Sequence, residues 1–268
     1  MSFKIIQDGK RFNIYRGDSL FTVCDYSEDY IRPFMGPVYT SFGKSFTRFK
    51  PFHEEHPHQR SVFVGIGDIN GVDFWNEKGE GKGKMVFDSL LTLTDGETAV
   101  LSVKLVWKSV EADEPLLDEI RTIAFSVKDD CVAVDFSTKL TASYTAVSVG
   151  KTKEAGPLGI RVADELRADK GGSFTNSDGG VNEEFCWGKE ALWCNYSGTI
   201  DNKIVGICCF DKSTNERYPT TWHVRNYGLM APNNLFFKGG YELRHDDTIE
   251  YNYLICFWEE SFDPENYI

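Results

Sequence analysis

Residues 100–108 read Val-Leu-Ser-Val-Lys-Leu-Val-Trp-Lys, and residues 132–137 read Val-Ala-Val-Asp-Phe-Ser. In both stretches every second residue is apolar, and the residues between them are mixed. Successive side chains of a β-strand point to opposite sides, so this period of two predicts strands with one buried face. Such half-buried strands are typical of antiparallel sheets.

Short apolar runs with the same character recur along the whole chain. They comprise residues 3–7, 11–15, 20–25, 61–66, 85–94, 99–110, 116–127, 131–141, 146–149, 159–163, 191–197, 203–211, 220–225 and 248–258. The turns between them contain Asp-Gly, Asp-Asp and Asp-Asn pairs, which are typical of hairpins. The sequence therefore predicts an all-β fold, a large antiparallel β-sandwich forming a single domain over residues 1–268. The best helix candidate is short, around residues 164–170.

The composition narrows the class of function. The 268 residues carry a formal net charge of −12, and 14% of them are aromatic. Nucleic acid and anionic membranes bind basic surfaces, so neither is an expected partner, whereas aromatic rings can stack on sugars. The seven cysteines include no Cys-x-x-Cys pair, and the N-terminus has no apolar stretch typical of a signal peptide. We expect a cytoplasmic protein, and the sequence leaves its oligomeric state open.

Three of the five histidines, His53, His56 and His58, fall within six residues. Arg60 follows at once, and the preceding residues 27–59 form a long segment with four prolines. Long loops without secondary structure are often functional, and imidazole groups change charge near neutral pH. We interpret this cluster as part of a site. The alternative is a polar loop whose histidines only form hydrogen bonds.

A metal site is one interpretation of the histidines. In an extended segment His56 and His58 would face the same side. Together with Glu154 and His223 from distant segments they would form a cupin-like ligand set for a divalent metal. The spacing alone is weak evidence, so the sequence leaves the cofactor open.

Two further segments carry candidate catalytic groups. Glu154 follows Lys153 and precedes a Gly-Pro turn, and Arg161 lies in the next apolar run. A carboxylate here would serve as a general base, with a histidine opposite as the general acid. The alternative for Glu154 is an ion pair with Arg161 or Arg60.

The second of these segments combines Trp222, His223, Arg225 and Tyr227. His223 and Arg225 are two residues apart and share one face of a predicted strand, which we expect to line a cleft. Aromatic rings, an arginine and a histidine suit a pocket for a sugar or a sugar acid. The alternative for Trp222 is core packing, because it points to the other face.

Several segments together resemble a known family. They are His-Pro-His-Gln-Arg at 56–60, the run at 67–75, residues 152–154 with 158–164, Cys-Trp-Gly-Lys at 186–189, and residues 219–225 with 227–229. From about residue 32 to about residue 258 the chain resembles a bacterial family of uncharacterised proteins labelled PmoA-like. That family usually has His-Pro-His-His-Arg, and Gln59 stands here in place of the last histidine.

The resemblance implies a place in bacterial sugar catabolism, often beside sugar oxidoreductases. The predicted architecture is similar to the super-sandwich of galactose-mutarotase-like proteins, which use a histidine and a carboxylate for proton transfer. The resemblance does not extend to a membrane subunit of methane mono-oxygenase, because no stretch approaches the roughly 18 apolar residues of a membrane span.

The resulting hypothesis is an enzyme of bacterial carbohydrate breakdown, a hydrolase or lyase acting on a glycoside or an oxidised (keto) sugar. His58, Glu154 and His223 are the candidate catalytic residues. The candidate substrate-binding residues are Arg60, Asp73, Trp75, Lys153, Arg161, Trp222, Arg225 and Tyr227. The alternatives are a sugar isomerase of the aldose-epimerase type and a non-catalytic sugar-binding protein, and all of these have a small carbohydrate as partner.

Overall fold

The computed structural model describes residues 2–49 and 55–268. Within them the strands are β1 (Phe3–Asp8), β2 (Arg11–Arg16), β3 (Ser19–Asp25), β4 (Phe34–Met35), β5 (Val62–Ile66), β6 (Gly83–Thr94), β7 (Thr98–Ser109), β8 (Pro115–Lys128), β9 (Cys131–Thr141), β10 (Val147–Val149), β11 (Ala155–Arg161), β12 (Ser173–Asn176), β13 (Trp193–Ile200), β14 (Lys203–Asp211), β15 (Trp222–Arg225), β16 (Leu229–Pro232), β17 (Tyr241–Leu243) and β18 (Thr248–Glu259). The helical segments are α1 (Asn182–Cys186), α2 (Asn234–Lys238) and 3-10 helices at Asp164–Leu166, Ala168–Lys170 and Pro264–Tyr267. The predicted helix at 164–170 is therefore two 3-10 helices.

The strands form two large antiparallel sheets and a small ribbon. The first sheet has the order β1-β2-β3-β4-β5-β11-β16-β15, the second has the order β12-β13-β14-β18-β9-β8-β7-β6, and β10 pairs with β17. This arrangement confirms the predicted large antiparallel β-sandwich. No helix within residues 2–49 and 55–268 is long and apolar enough to cross a membrane.

Turn residues explain how the strands reverse direction. Between β13 and β14, Ile200 pairs with Lys203 and only Asp201 and Asn202 lie between them. Both have left-handed backbone angles, with φ of 48° and 63°. A two-residue type I′ turn requires this conformation, and Asp and Asn adopt it at low cost.

The main core lies between the two sheets, where alternate residues of each strand are buried. In β7, Leu101, Val103, Leu105 and Trp107 have no exposed surface. They belong to one hydrophobic cluster with side chains of the first sheet such as Val64. The period of two in the sequence thus predicts the buried face of β7 correctly.

The core also contains an ion pair. Arg121 donates from Nε and Nη2 to the two carboxylate oxygens of Glu119, at 2.7 and 3.0 Å. Trp107 and Thr138 donate to the same carboxylate, each at 2.7 Å. Buried charges are tolerated when they are paired and hydrogen-bonded, and here both conditions hold.

The first sheet has a second face that points away from the main core, which we call the outer face. In β15, Trp222 and Val224 are fully buried in the main core, and His223 and Arg225 therefore lie on the outer face. The Trp222 indole donates to the Ala191 carbonyl at 2.9 Å. The predicted two faces of this strand are confirmed, with Trp222 and Val224 toward the core and the polar residues on the opposite side. The substrate-binding prediction for Trp222 is wrong, because its side chain lies between the sheets.

Candidate functional site

Strand register brings three predicted residues together on the outer face. Arg225 pairs with Leu229 on β16, and Leu229 pairs in turn with Arg161 on β11. Neighbouring strands are about 4.8 Å apart, so the two arginine Cα atoms lie about 10 Å from each other. His223 occupies the next row of the same face, two residues from Arg225. Strand pairing therefore brings Arg161 and His223 close together in space, although they are far apart in the sequence.

A Tyr227-centred stack covers this part of the sheet. The guanidinium carbons of Arg161 and Arg225 lie 4.6 and 5.4 Å from the centre of the Tyr227 ring. The His56 ring stacks on Tyr227 with centroids 4.7 Å apart and an interplanar angle of 8°. Burial raises the pKa of the Tyr227 hydroxyl, and nearby Gln59 acts in the opposite direction. We call His56, Gln59, Arg161, His223, Arg225 and Tyr227 the outer-face cluster.

Arg161 is the most deeply buried member of this cluster. Its side chain has no exposed surface, and Nη1 donates to Gln59 Oε1 at 2.6 Å. Nε and Nη2 are buried and have no hydrogen-bond partner among residues 2–49 and 55–268. Burial, followed by the nearby charge of Arg48, lowers the pKa of Arg161 to about 10. The guanidinium group is therefore charged at neutral pH, and two of its three nitrogens have no hydrogen-bond partner in the described residues.

Arg225 is more exposed and has a carboxylate partner. Its Nε lies 2.8 Å from Glu183 Oε1, and the side chain is 34% exposed. Glu183 also accepts from the backbone N–H of Asn226 at 2.8 Å. This ion pair fixes Arg225 beside Tyr227 at the edge of the cluster.

His223 has a defined tautomer. Its Nδ1 lies 2.9 Å from the Lys153 carbonyl, which can only accept, so Nδ1 carries the hydrogen. Asn233 donates to the same carbonyl at 3.0 Å and helps to fix its position. Burial, and then the charge of Arg225, lower the pKa of His223 to about 4. Its Nε2 is buried without a partner in the described chain and so presents a lone pair to the outer face.

Glu154 and Lys153 lie at the rim of the cluster. Their side chains are 36% and 54% exposed, and Lys153 Nζ lies 3.6 Å from Glu154 Oε1. Burial is the main cause that raises the pKa of Tyr227, and the charge of Glu154 adds a small contribution in the same direction. Glu154 is thus close to the cluster, whereas the Lys153 backbone, rather than its amine, contacts His223.

His58 belongs to a neighbouring group around Trp75. Its ring meets Trp75 edge-on, with centroids 6.4 Å apart, and the His56 ring at 5.9 Å. Burial, and then the charges of Arg32, His56 and Arg60, lower the pKa of His58 to about 3. The Trp75 ring packs on Phe63 of β5, and only 3% of the residue is exposed. We call His58, Trp75, Arg32, Arg60 and Glu77 the Trp75 group.

Two predicted substrate-binding residues have structural partners instead. Arg60 forms a forked ion pair with both carboxylate oxygens of Glu77 and lies 4.5 Å from the centre of the Tyr30 ring. Asp73 accepts from Lys82 at 2.8 Å, from the Asn76 amide at 2.9 Å and from two backbone N–H groups. These bonds hold the pKa of Asp73 below its usual value although its burial acts in the opposite direction.

The structure does not assemble the predicted metal site. Within residues 2–49 and 55–268, no group of three or more His, Cys, Asp or Glu side chains could hold a metal ion. The proposed ligands have different surroundings: the His56 ring stacks on Tyr227, the His58 ring meets Trp75, and His223 Nδ1 bonds to the Lys153 carbonyl. His53, the other histidine of the sequence cluster, lies outside the described residues.

Sequence patterns missed several members of the site. Gln59 was noted only as a departure from a motif, yet it contacts both Arg161 and Tyr227. Arg32 donates to the carbonyls of His58, Phe74 and Trp75, and nothing in the surrounding sequence indicates this role. Cavities of about 730 and 830 Å³ open elsewhere, beside α1 and beside the last 3-10 helix. Neither cavity is lined by a member of the outer-face cluster.

These features define a large antiparallel β-sandwich with a polar, arginine-rich layer on one sheet. Its fold is similar to the galactosidase domain of the alpha-galactosidase-sucrose kinase AgaSK, with a TM-score of 0.50 at 11% identity over 94% of this chain. The chain spans 41% of the length of that structure. A galactose mutarotase-like protein from Lactobacillus casei ATCC 334 is also similar, with a TM-score of 0.43 at 9% identity over 96% of this chain and 99% of that one.

The chain belongs to the family described as "Family of unknown function (DUF6807)", whose model matches residues 9–267. Comparison with curated proteins gives no match. None of the comparisons supports the PmoA-like label suggested by the motifs. At these identities the solved structures show the fold alone.

Proposed function

We propose that this protein is an enzyme of carbohydrate breakdown, a hydrolase or lyase in which His223 transfers the proton at the outer face. The observation that carries this proposal is the buried, unpartnered Nε2 of His223, whose lone pair is set by the bond from Nδ1 to the Lys153 carbonyl. A buried polar atom without a partner is costly, and such atoms concentrate at functional sites. The sugar-related folds of similar structures are consistent with a carbohydrate substrate.

The chemistry follows from this protonation state. With a pKa of about 4, His223 is neutral at pH 7 and can accept a proton. In an elimination, Nε2 takes a proton from a substrate carbon, a carbon–carbon double bond forms as the bond to the leaving oxygen breaks, and the imidazolium returns the proton to that oxygen. In a hydrolysis, Nε2 takes a proton from water, the water oxygen bonds to the sugar carbon as the glycosidic bond breaks, and the imidazolium gives the proton to the leaving oxygen. Arg225 and Arg161 would hold substrate oxygens, Tyr227 would stack on a sugar ring, and Glu154 at the rim would be a second proton-transfer group.

The experiment is a screen of the purified protein against glycosides and 3-keto-glycosides, with and without a chelator. His223→Ala should reduce the rate by about 10²–10⁴-fold, because a lost acid–base group costs that much. His245→Ala is the matched control, since His245 has a 57% exposed side chain and an ion pair with Asp246 on a distant turn. A folded His223→Ala protein with full activity would reject the assignment.

Other results would identify different functions. Interconversion of anomers without bond cleavage would indicate an isomerase, and sugar binding without any product would indicate a binding protein. Loss of activity in proportion to lost folded protein, measured by circular dichroism, would show that His223 has a structural role.

A further inference from the structure

Arg161 has one edge that the protein leaves unused. The Nε–H and one N–H of Nη2 lie on the same edge of a planar guanidinium and point in parallel, which matches the two oxygens of a carboxylate. Both nitrogens are buried, and neither has a partner among residues 2–49 and 55–268. The remaining nitrogen, Nη1, is already bonded to Gln59.

The same chain shows twice how this edge is normally used. Arg121 donates from Nε and Nη2 to the two oxygens of Glu119, at 2.7 and 3.0 Å. Arg167 donates from the same two atoms to the two oxygens of Asp169, at 2.8 and 2.7 Å. In Arg161 the corresponding edge faces no carboxylate of the described chain.

Glu183 and Asp164 have arginine partners other than Arg161, and the charge of Glu55, which does act on Arg161, is on an exposed side chain. Glu183 pairs with Arg225, and Asp164 lies 3.4 Å from Arg167 Nη1. The Glu55 side chain is 54% exposed, and its Oε1 lies 3.2 Å from His56 Nδ1. Positive charge therefore dominates around Arg161, and a buried charge in such surroundings is unfavourable until an anion pairs with it.

We propose that the substrate carries a carboxylate and that Arg161 binds its two oxygens through Nε and Nη2. The ligand class is a sugar acid, of which a hexuronic acid is the simplest example. This inference rests on the proposed carbohydrate function and adds the chemical class of the substrate. Because both nitrogens are buried, entry of the carboxylate requires a shift of side chains that cover the guanidinium, and Tyr227 and Gln59 both contact it.

The geometry favours a carboxylate over a phosphate. One planar fork matches two coplanar oxygens, whereas a phosphate presents three or four oxygens and is usually bound by several donors together. Among the neighbouring arginines, Arg225 already has a carboxylate partner. A sugar phosphate is therefore the competing ligand that the experiment must separate.

The test is calorimetric titration of the full chain with matched sugars. The probes are D-glucuronate, its uncharged methyl ester, D-glucose and D-glucose 6-phosphate, together with the corresponding galactose series. The variants are Arg161→Lys, which keeps the charge and removes the fork, and Arg161→Met. Arg244→Met is the control, because it removes one positive charge from a side chain that is 89% exposed.

We expect the wild type and Arg244→Met to bind one of the uronates at least about tenfold more tightly than its methyl ester, and both Arg161 variants to lose this preference. Equal binding of uronate and ester, tighter binding of the phosphate, or a preference that survives Arg161→Met would overturn the inference while leaving the carbohydrate proposal intact. If no sugar binds at all, the carbohydrate proposal fails, and this inference fails with it. The uronate–ester comparison in the wild type decides the question even if a variant does not fold.

Discussion

Arg121 and Arg161 are both fully buried arginines, one in each sheet, and they differ in what surrounds the guanidinium group. Burial lowers the pKa of both, but the charge and hydrogen bonds of Glu119 leave the pKa of Arg121 above its ordinary value. The pKa of Arg161 falls to about 10, with Arg48 as the next cause after burial.

This difference is the basis for assigning a structural role to Arg121 and proposing a binding role for Arg161. Around Arg121 the chain provides the carboxylate and two further donors to it, so the group contributes to the core without an external ligand. Around Arg161 the chain provides one neutral acceptor and an aromatic ring. A protein that retains an incompletely paired buried charge loses stability, and binding sites are where such a loss is compensated by a ligand.

The largest expected effect comes from breaking the satisfied pair. Glu119→Gln removes the carboxylate charge and leaves Arg121 buried and uncompensated, which should lower the free energy of unfolding by about 3–5 kcal/mol. Urea denaturation measures this loss. Glu250→Gln is the control, because Glu250 is exposed on β18 of the same sheet, where it accepts a hydrogen bond from Ser137 at 3.1 Å. A loss below about 1 kcal/mol would mean that the buried pair contributes little.

Burial lowers the pKa of two histidines of the site as well, and this makes the stability of the protein depend on pH. The folded pKa of His223, about 4, lies below the ordinary value of 6.5, so the unfolded chain binds protons more readily. Stability is therefore fully present above pH 6.5 and falls as the pH decreases toward 4, by up to roughly 3 kcal/mol from this residue. His58, with a pKa of about 3, should add a further loss over a wider range.

Denaturation of the wild type and His223→Asn between pH 7 and pH 4 tests this dependence. The variant should lose less stability over this interval, because one of the histidines that resist protonation is absent. Identical pH profiles would show that His223 is not held neutral in the folded protein.

Local patterns were sufficient to predict the fold because they repeat. Alternation in β7 and β9, and Asp-Gly or Asp-Asn turns, act over a few residues, so the predicted strands at 99–110 and 131–141 nearly coincide with the observed ones. The short strands β4, β12, β16 and β17 were missed. They have two to four residues, which is too short for a period of two to be recognised.

The candidate site was predicted only in part, because it depends on register between distant strands. Sequence motifs identified His223, Arg225, Tyr227 and Arg161 individually, and the pairing of β15, β16 and β11 brings them onto one face. Partners such as Glu77 carry no recognisable local signal. The predicted metal ligands form no cluster of three or more in the described part of the chain, because sequence spacing does not show where distant segments fold.

A smaller effect should follow when both partners of the satisfied pair are changed. Glu119→Gln combined with Arg121→Met removes the carboxylate and the guanidinium together, so no uncompensated charge remains. We expect the double variant to recover at least about half of the stability lost in Glu119→Gln, since replacing a whole buried pair is far less costly than breaking it. Additive losses in urea denaturation would contradict this interpretation of the pair.

The smallest effect is expected at Arg161. Arg161→Met removes a buried guanidinium that forms one hydrogen bond and one aromatic contact, and methionine retains most of the apolar volume. The loss of those two contacts opposes the gain from removing an incompletely paired charge, so the free energy of unfolding should change by less than about 1 kcal/mol in either direction. The free energy of unfolding of Arg161→Met, measured by urea denaturation, is compared with that of Arg121→Met, which leaves the buried Glu119 carboxylate without its arginine partner. A loss at Arg161 as large as that at Arg121 would show that the protein itself satisfies both arginines, and the functional distinction between them would then be wrong.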